Sequence, residues 1–485
     1  MMTNFWNLDH PSENLAIISP GAGLQVTYGK FRSDVEEMMA TMPPREKKAL
    51  IMLLAQNRYE CMVVYLASLR LGHAILLVES TLNHELLVHL IDRYRPDFIY
   101  GSSNDQQFSG YRKTAHNQLA IWEKQDKETL AIHDSLAVLL NTSGSTGSPK
   151  LVRLSFENLQ ANALSIASYL TLTCDEKPIT SLPMAYSYGL SVINSHLLVG
   201  AALVLTEHSV LRREFWEEID TFGCTSFAGV PYSYQLLLQT GLLKNKGASL
   251  RTLTQAGGAL APSYIRQMSD LASQRGLRFF VMYGQTEATA RIAYVPFDQL
   301  QEKIGSIGIA IPGGELKTDS ETSELIYTGP NVMMGYAESR EDLAKGDELG
   351  GVLHTGDLAR QDDDGFFYIT GRMKRFLKLF GKRFNLDEVE QILNGKLKLP
   401  VACFGSDDQL SVAFEGADTN IATVTSTVCD VFALPRTAIR VLAMERLPRT
   451  SRDKTDYSAL ANWEHSKTNV PRLQAAASAR RTTTL

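Results

Sequence analysis

Cysteine is scarce: five residues (Cys61, Cys174, Cys224, Cys403 and Cys429), odd in number and without Cys-x-x-Cys spacing. That excludes a disulfide framework and a zinc knuckle, and predicts buried free thiols in a reducing compartment. Apolar runs of bilayer-spanning length are missing, so no membrane span is predicted. The opening residues, MMTNFWNLDHPSEN, lack the basic and apolar layout of a secretion signal. Neither sign of charge dominates: 48 Lys and Arg against 53 Asp and Glu leave a net charge of -5. Such a surface offers no basic field to nucleic acid or to an acidic membrane. No internal repeat is visible. The expectation is a cytoplasmic protein whose partners are neither nucleic acid nor membrane.

What is present is ordinary globular material, 44% hydrophobic and 21% charged, in 485 residues. That is enough for two or three domains. From about Lys48 to Val295, apolar runs such as "ALIMLLAQ", "HAILLVES", "DFIYGSS", "LAVLLNTSG", "PITSLPM", "AALVLTE", "TSFAGVP", "TLTQAGG" and "RFFVMYG" read as buried strands. Helix-length stretches such as "RYECMVVYLASLRLG" and "SFENLQANALSIASYL" separate several of them. This alternation predicts α/β architecture with covered parallel sheets. Ligands then gather beyond the carboxyl ends of the strands, where the small-residue loops fall.

After about Pro296 the pattern shortens to "GELKT", "SELIYTG", "GVLHTGDLAR" and "GFFYITGR" between Gly and Asp turns, which predicts a β-rich subdomain. A basic segment, GRMKRFLKLFGK, precedes a helix at NLDEVEQIL, with Asn385 and Glu388 as a variant capping box. The expected organisation is a large N-terminal α/β domain over 1–373, with layered, mostly parallel sheets plus the β-rich subdomain. A small α+β C-terminal domain over 374–464 and a disordered tail over 465–485 follow.

Residues Asn141 to Lys150 read NTSGSTGSPK: two glycines, five hydroxyls and a terminal lysine. Glycines let backbone N–H groups converge on an anion, hydroxyls add donors and lysine adds charge. Ser148 and Pro149 separate Gly147 from Lys150, so this is no Walker A loop, and a P-loop phosphotransferase is disfavoured. By composition alone the stretch is a polyphosphate loop or a surface turn.

TSGSTGSPK resembles the phosphate loop of the adenylate-forming superfamily, which includes acyl- and aryl-CoA synthetases, AMP-dependent acid ligases. Further motifs of that family follow in order. QAGGALAPS (Gln255 to Ser263) resembles its adenine-packing loop, and MYGQTEAT (Met282 to Thr289) its Tyr-Gly-x-Thr-Glu motif. SELIYTGPNVMMGY (Ser323 to Tyr336) and HTGDLA (His354 to Ala359) come next. GRMKRFLKLFGKRFNLDEVE (Gly371 to Glu390) resembles its hinge region, and LPRTSRDKTDY (Leu447 to Tyr457) its C-terminal lysine motif.

The resemblance implies attack of a carboxylate on the α-phosphorus of ATP, expulsion of pyrophosphate, and acyl transfer to a thiol. Thr142, Ser143, Gly144, Ser145, Thr146, Gly147 and Lys150 would hold the phosphates. Glu287 would ligate Mg2+, and Thr286 would contact the α-phosphate. Tyr283 and the Gly257–Gly258–Ala259 backbone would sandwich adenine, with Asp357 and Arg372 on the ribose. Lys454 would enter the site during adenylation. Lys374 sits at the hinge position about which the family's small mobile domain rotates, although a surface lysine among Arg372, Arg375 and Lys378 reads equally well. Gly381 would face the thiol tunnel. One departure stands beside Lys454: the family's usual glycine before the lysine is Asp453 here, which could dampen the lysine's field.

LPMAYSYGLS (Leu182 to Ser191) resembles the family's Pro-x-x-His-x-x-Gly stretch, with Tyr186 in place of histidine. Amino-acid-activating members commonly place an aspartate there to pair with the substrate ammonium. Tyr186 therefore predicts a fatty or aryl acid without an α-amino group. Tyr186, Tyr188, Gly189, Val230 and Tyr234 are candidates for the acyl pocket, with core packing an equal reading for Val230. The acceptor thiol, CoA or the phosphopantetheine of an acyl carrier protein, is not legible. An amino-acid ligase loading a carrier protein and a catalytically weakened binding protein remain as alternatives.

Overall fold

The computed structural model describes residues 3–44, 48–102, 107–116, 119–126, 130–141, 150–372, 376–380, 382–406, 408–417, 420–448, 455, 457 and 459–460. Two compact units divide the chain, Met1–Lys374 with Phe380–Arg383, and Arg375–Leu379 with Phe384–Leu485.

The first unit is α/β, built on two large mixed sheets. The nine-stranded sheet runs Ile309–Ala310, Ala293–Val295, Arg278–Tyr283, Thr252–Gln255, Ser226–Gly229, Pro178–Ile179, Leu203–Val204, Leu15–Ser19, Leu24–Thr27. Its six strands from Arg278–Tyr283 to Leu15–Ser19 are parallel, and its outermost pairings are antiparallel. The eight-stranded sheet runs Gly335–Ala337, Leu151–Ser155, Leu136–Asn141, Ala74–Glu79, Leu50–Ala55, Phe98–Ser102, Leu119–Lys124, Tyr111–His116. All nine apolar runs singled out above form strands.

The uninterrupted apolar character of these runs follows from burial on both faces. Along Leu50–Ala55, Ile51 and Leu53 join one core cluster while Leu50, Met52 and Leu54 join another. Successive side chains of a strand point to opposite faces, so a strand covered on both sides has no polar position. The first cluster also holds Ile17 and Leu203 of the nine-stranded sheet and Val64, Leu159 and Ile193 of the helices Tyr59–Arg70, Phe156–Tyr169 and Ser187–Leu198. These helices thus share one core with both sheets. Phe156–Tyr169 starts on a capping box between Ser155 and Asn158, which satisfies two N-terminal N–H groups.

An antiparallel four-stranded sheet, Glu315–Thr318, Glu324–Thr328, Val352–Gln361 and Phe367–Arg372, is the β-rich element expected after Pro296. In Val352–Gln361 burial alternates, with Leu353, Thr355, Asp357 and Ala359 inward. That period of two carries the carboxylate of Asp357 to the inner face.

The second unit opens on the strand Phe376–Leu379. It packs the helices Leu386–Leu397 and Ile421–Phe432 with a sheet of Val401–Ser406, Gln409–Glu415 and Ile439–Met444. Val389, Leu393, Cys403, Val412 and Val428 form its centre. The cysteine expectation needs one correction. All five thiols are free, but only Cys61, Cys224 and Cys403 are buried; Cys174 is exposed, because it falls in the turn after Phe156–Tyr169. Among the described residues no helix is long and apolar enough to cross a membrane.

Candidate functional site

Parallel register sets Gly229, Gln255 and Val281 side by side, so the loops that follow their strands leave from one end of the nine-stranded sheet. The loop after Thr252–Gln255 carries Gly257, Gly258 and Ala259, and the one after Arg278–Tyr283 carries Thr286 and Glu287. Gln255 braces the first loop, its Nε2 donating to the Gly258 carbonyl at 2.9 Å. The second loop requires glycine at 284, because a Cβ there would run into the carbonyl oxygen of Ala290.

Tyr283, Gln285 and Asp357 form one polar cluster. Asp357 is 1% exposed, and its Oδ2 accepts from Tyr283 Oη and from Gln285 Nε2, the latter at 3.1 Å. Gln285 also donates to the Thr355 carbonyl at 3.0 Å. Two donors therefore fix the orientation of a carboxylate that burial alone would penalise. Arg372 is opposite Asp357 in the strand register; its side chain lies outside the described residues.

A second line of contacts joins Lys150 to Glu287. Lys150 pairs with Glu338 at 2.7 Å, and its ammonium is 6.0 Å from the centre of the Tyr336 ring. Tyr336 Oη donates to Glu287 Oε1 at 2.8 Å. The strand Gly335–Ala337 makes this possible by pairing with Leu151–Arg153 directly after Lys150. Glu287 is half-buried, and its turn is clamped by Met333, whose N–H donates to the Glu287 carbonyl at 2.9 Å. Thr286 is buried, its Oγ1 3.1 Å from Ser187 Oγ at the start of helix Ser187–Leu198.

Of the acyl-pocket candidates, Tyr186 and Val230 border the adenine-loop glycines. A Cβ on Gly257 would run into Tyr186 Oη and lie 3.3 Å from Val230 Cγ1. Gly189 lets its helix lie on the Pro183 carbonyl, which a Cβ would strike. Tyr188 and Tyr234 stand one layer deeper, 3% and 0% exposed, and both phenols donate to the Thr254 carbonyl. They are enclosed as core residues. Thr142, Ser143, Gly144, Ser145, Thr146, Gly147, Lys374, Gly381 and Lys454 lie outside the described residues.

Four residues of this site were not singled out in the sequence: Gln285, Ser187, Thr355 and Tyr336. Each acts through a partner at least 49 residues away or through a backbone carbonyl, except for the Gln285–Tyr283 contact. The only local signal was their place inside or beside a motif.

Gly257 gives the first prediction. Its φ of +79° is a region L residues rarely adopt, and Tyr186 and Val230 occupy the space a methyl would need. Gly257→Ala is expected to raise KM for ATP and for the acid together by about tenfold, since overpacking of this kind costs about 1–3 kcal/mol. An unchanged KM for both would show that the Tyr186–Gly257 contact does not border the site.

The ends of parallel strands, a small-residue loop, an isolated half-buried carboxylate and a buried aspartate together define a nucleotide-binding α/β protein. The chain belongs to the AMP-binding enzyme family, whose model matches residues 5–337. It is 32% identical over 275 residues to feruloyl-CoA synthase of Amycolatopsis sp., a match covering 54% of this chain and 54% of that protein. It thus spans about half the length of that curated relative. It is 26% identical over 388 residues to 2-succinylbenzoate–CoA ligase of Bacillus cytotoxicus, covering 76% and 78%. Among solved structures, o-succinylbenzoate CoA synthetase of Bacillus subtilis, as a double mutant with a product analogue, gives a TM-score of 0.76 at 22% identity, over 95% of this chain and 98% of that one. ATP-bound MatB of Rhodopseudomonas palustris gives 0.63 at 22% identity, over 96% and 99%. The two structural likenesses show that the chain shares the fold of those proteins.

Proposed function

We propose that this chain is an AMP-forming acid–thiol ligase. It activates a carboxylic acid with ATP to an acyl-adenylate, releases pyrophosphate, and passes the acyl group to a thiol. The observation that carries this reading is that one segment, Tyr283–Glu287, holds Asp357 through Tyr283 and Gln285, meets Ser187 through Thr286, and reaches Tyr336, beside Lys150, through Glu287.

Each group suits one part of ATP. The Asp357 carboxylate, with Oδ2 oriented by Tyr283 and Gln285, suits the ribose hydroxyls as a two-oxygen acceptor. The Gly257–Gly258 backbone and Tyr283 suit the faces of adenine. Lys150 now pairs with Glu338 across a partly exposed contact. Such pairs are worth little, so phosphate oxygens could take the lysine over. The family motif supports contact of Thr286 with the α-phosphate and of Thr142, Ser143, Gly144, Ser145, Thr146 and Gly147 with the β- and γ-phosphates.

Among the described residues no cluster of three His, Cys, Asp or Glu side chains is arranged to hold a metal. A single carboxylate at Glu287 fits Mg2+, which binds through one or two carboxylates plus substrate phosphates. Bound there, Mg2+ would neutralise phosphate charge.

Lys454 supplies the positive charge that gathers the two anionic reactants. Lys374 is the hinge, and Gly381 approaches the thiol in the second half-reaction. The acid lies beyond Tyr186 and is a fatty or aryl acid without an α-amino group. The acceptor is CoA, in keeping with relatives named as CoA ligases, or the phosphopantetheine of an acyl carrier protein. Asp453 favours a second reading, a weakened enzyme that binds nucleotide and turns over slowly.

Pyrophosphate release across a panel of carboxylic acids tests the proposal, followed by intact-mass analysis with CoA and with a carrier protein. Acid-dependent pyrophosphate and a thioester product are expected. Release of ADP and phosphate instead would overturn it, and nucleotide binding without pyrophosphate would favour the second reading.

A further inference from the structure

Glu287 is gripped twice by one segment of the chain, residues 331–336. Its backbone is held first. The Glu287 carbonyl accepts the Met333 N–H at 2.9 Å. Asn331 Nδ2 donates to the carbonyls of Ala288 and Arg291, at 2.8 and 2.9 Å, and the Thr289 hydroxyl donates back to the Asn331 carbonyl at 2.7 Å. The carboxylate is held second, by Tyr336, whose Oη donates to Oε1 at 2.8 Å. Among the described residues no ion pair holds this half-buried carboxylate, and no hydrogen bond takes its Oε2. One phenol thus fixes the direction of the group without neutralising its charge.

The tyrosine is itself firmly placed. The strand Gly335–Ala337 lies antiparallel to Leu151–Arg153, and its period of two turns Gly335 and Ala337 inward and Tyr336, 38% exposed, outward. Arg153, fully buried, ties the backbone here. Its Nε donates to the Tyr336 carbonyl at 3.2 Å and its Nη2 to the Met334 carbonyl at 3.1 Å, and Glu348 pairs with the same guanidinium. Gly335, at φ +125°, suits this place because a Cβ would run into Arg153 Nη2 and Glu348 Oε2. The backbone of Tyr336 is thereby fixed relative to the turn that carries Glu287. The same ring stands 6.0 Å from the Lys150 ammonium, so the phenol joins the carboxylate to the lysine end of the site.

We propose that Tyr336 is a positioning residue for the metal: its hydroxyl, through Oε1, presets the Glu287 carboxylate so that a divalent cation arriving with ATP meets an oriented ligand. This rests on the reading of Glu287 as the Mg2+ carboxylate of a nucleotide site. Mg2+ demands near-ideal geometry, keeps several waters and takes only one or two protein carboxylates, so the direction of a single carboxylate matters. Partners that orient a ligating carboxylate are typically worth about 10–100-fold in metal affinity.

The test is calorimetric titration of ATP into the full chain, once in EDTA and once in excess Mg2+, with no acid present, so that turnover does not enter. Tyr336→Phe keeps the ring beside Lys150 and removes only the hydroxyl. Its Kd for metal-free ATP should stay within about twofold of wild type, while the tightening that Mg2+ brings should fall about tenfold. Glu287→Gln should lose that tightening too, and adding Tyr336→Phe to it should change little more, since the phenol then has no carboxylate to orient. Equal weakening with and without metal, or additive losses in the double variant, would make Tyr336 a structural residue. An unchanged Mg2+ effect in Tyr336→Phe, or a wild type that binds ATP no tighter with Mg2+, would make its bond to Glu287 incidental. Each of these results overturns the inference. The ligase reading falls separately, by absence of pyrophosphate with every acid, and a Mg2+ effect lost selectively in Tyr336→Phe would uphold the positioning role even then.

Discussion

Lys454→Ala is expected to lose acid-dependent pyrophosphate release by on the order of a hundredfold or more, while acyl transfer from a supplied acyl-adenylate to a thiol stays near wild type. Bringing a carboxylate to a triphosphate sets anion against anion. A cation aimed at that approach acts on the rate of adenylation, and losing one such group typically costs about 10²–10³ in rate. In thiol attack on the finished adenylate that repulsion is gone, so the same lysine has little left to offset. The split between half-reactions is therefore the diagnostic, more than the size of either loss. Equal loss of both would assign Lys454 a structural part. Full retention of adenylation would make it a surface charge and turn attention to Asp453, the neighbour that replaces glycine. The companion variant Asp453→Gly should raise adenylation if that carboxylate dampens the lysine's field.

Strands buried on both faces were the most legible feature of the sequence. Leu50–Ala55 and Arg278–Tyr283 stand out because a doubly covered strand has no polar positions to disguise it. Leu151–Ser155, buried throughout, went unread because it is short and carries Arg153 at its centre, and other unread strands have a wet face or an interruption. Tyr111–His116, YRKTAH, is an edge strand whose charged residues read as loop. Leu15–Ser19 and Leu24–Thr27 flank Pro20–Ala22 and look too short apart. The helix Phe156–Tyr169 was legible in SFENLQANALSIASYL, but its capping box was not, because Asn158 stands where such a box usually has Glu or Gln. At the site, motif residues could be named because the motifs run unbroken. Their supports could not: Ser187 meets Thr286 across 99 residues and Tyr336 meets Glu287 across 49, and no local pattern encodes such a pairing. Arg291 escaped notice for a related reason. A lone arginine in "ATARIAY" reads as surface, and only its complete burial among neutral partners sets it apart.

Acids without an α-amino group are expected to be activated far better than amino acids of similar size, by more than about a hundredfold. An unpaired buried ammonium carries a penalty on the order of several kcal/mol. The residue in the aspartate-equivalent position, Tyr186, cannot supply the missing anion, because burial pushes its phenol up to about 12 and keeps it neutral at working pH. Other carboxylates that the sequence left unplaced are engaged elsewhere. Glu207 pairs with Arg58 at 2.8 Å on an exposed surface, and Asp220 accepts the Gly247 N–H at 3.1 Å. The charge that does reach Tyr186 is that of Arg291, and its sign repels an ammonium while drawing an anion. In Arg291→Gln, discrimination against amino acids should persist in weakened form, because the neutral phenol still offers no counter-charge. Pairing phenylalanine with phenylpropionate in the pyrophosphate-release assay measures this directly. Preference for phenylalanine would mean that an anion elsewhere in the pocket receives the ammonium, and Tyr186 would then lose its role in choosing the acid.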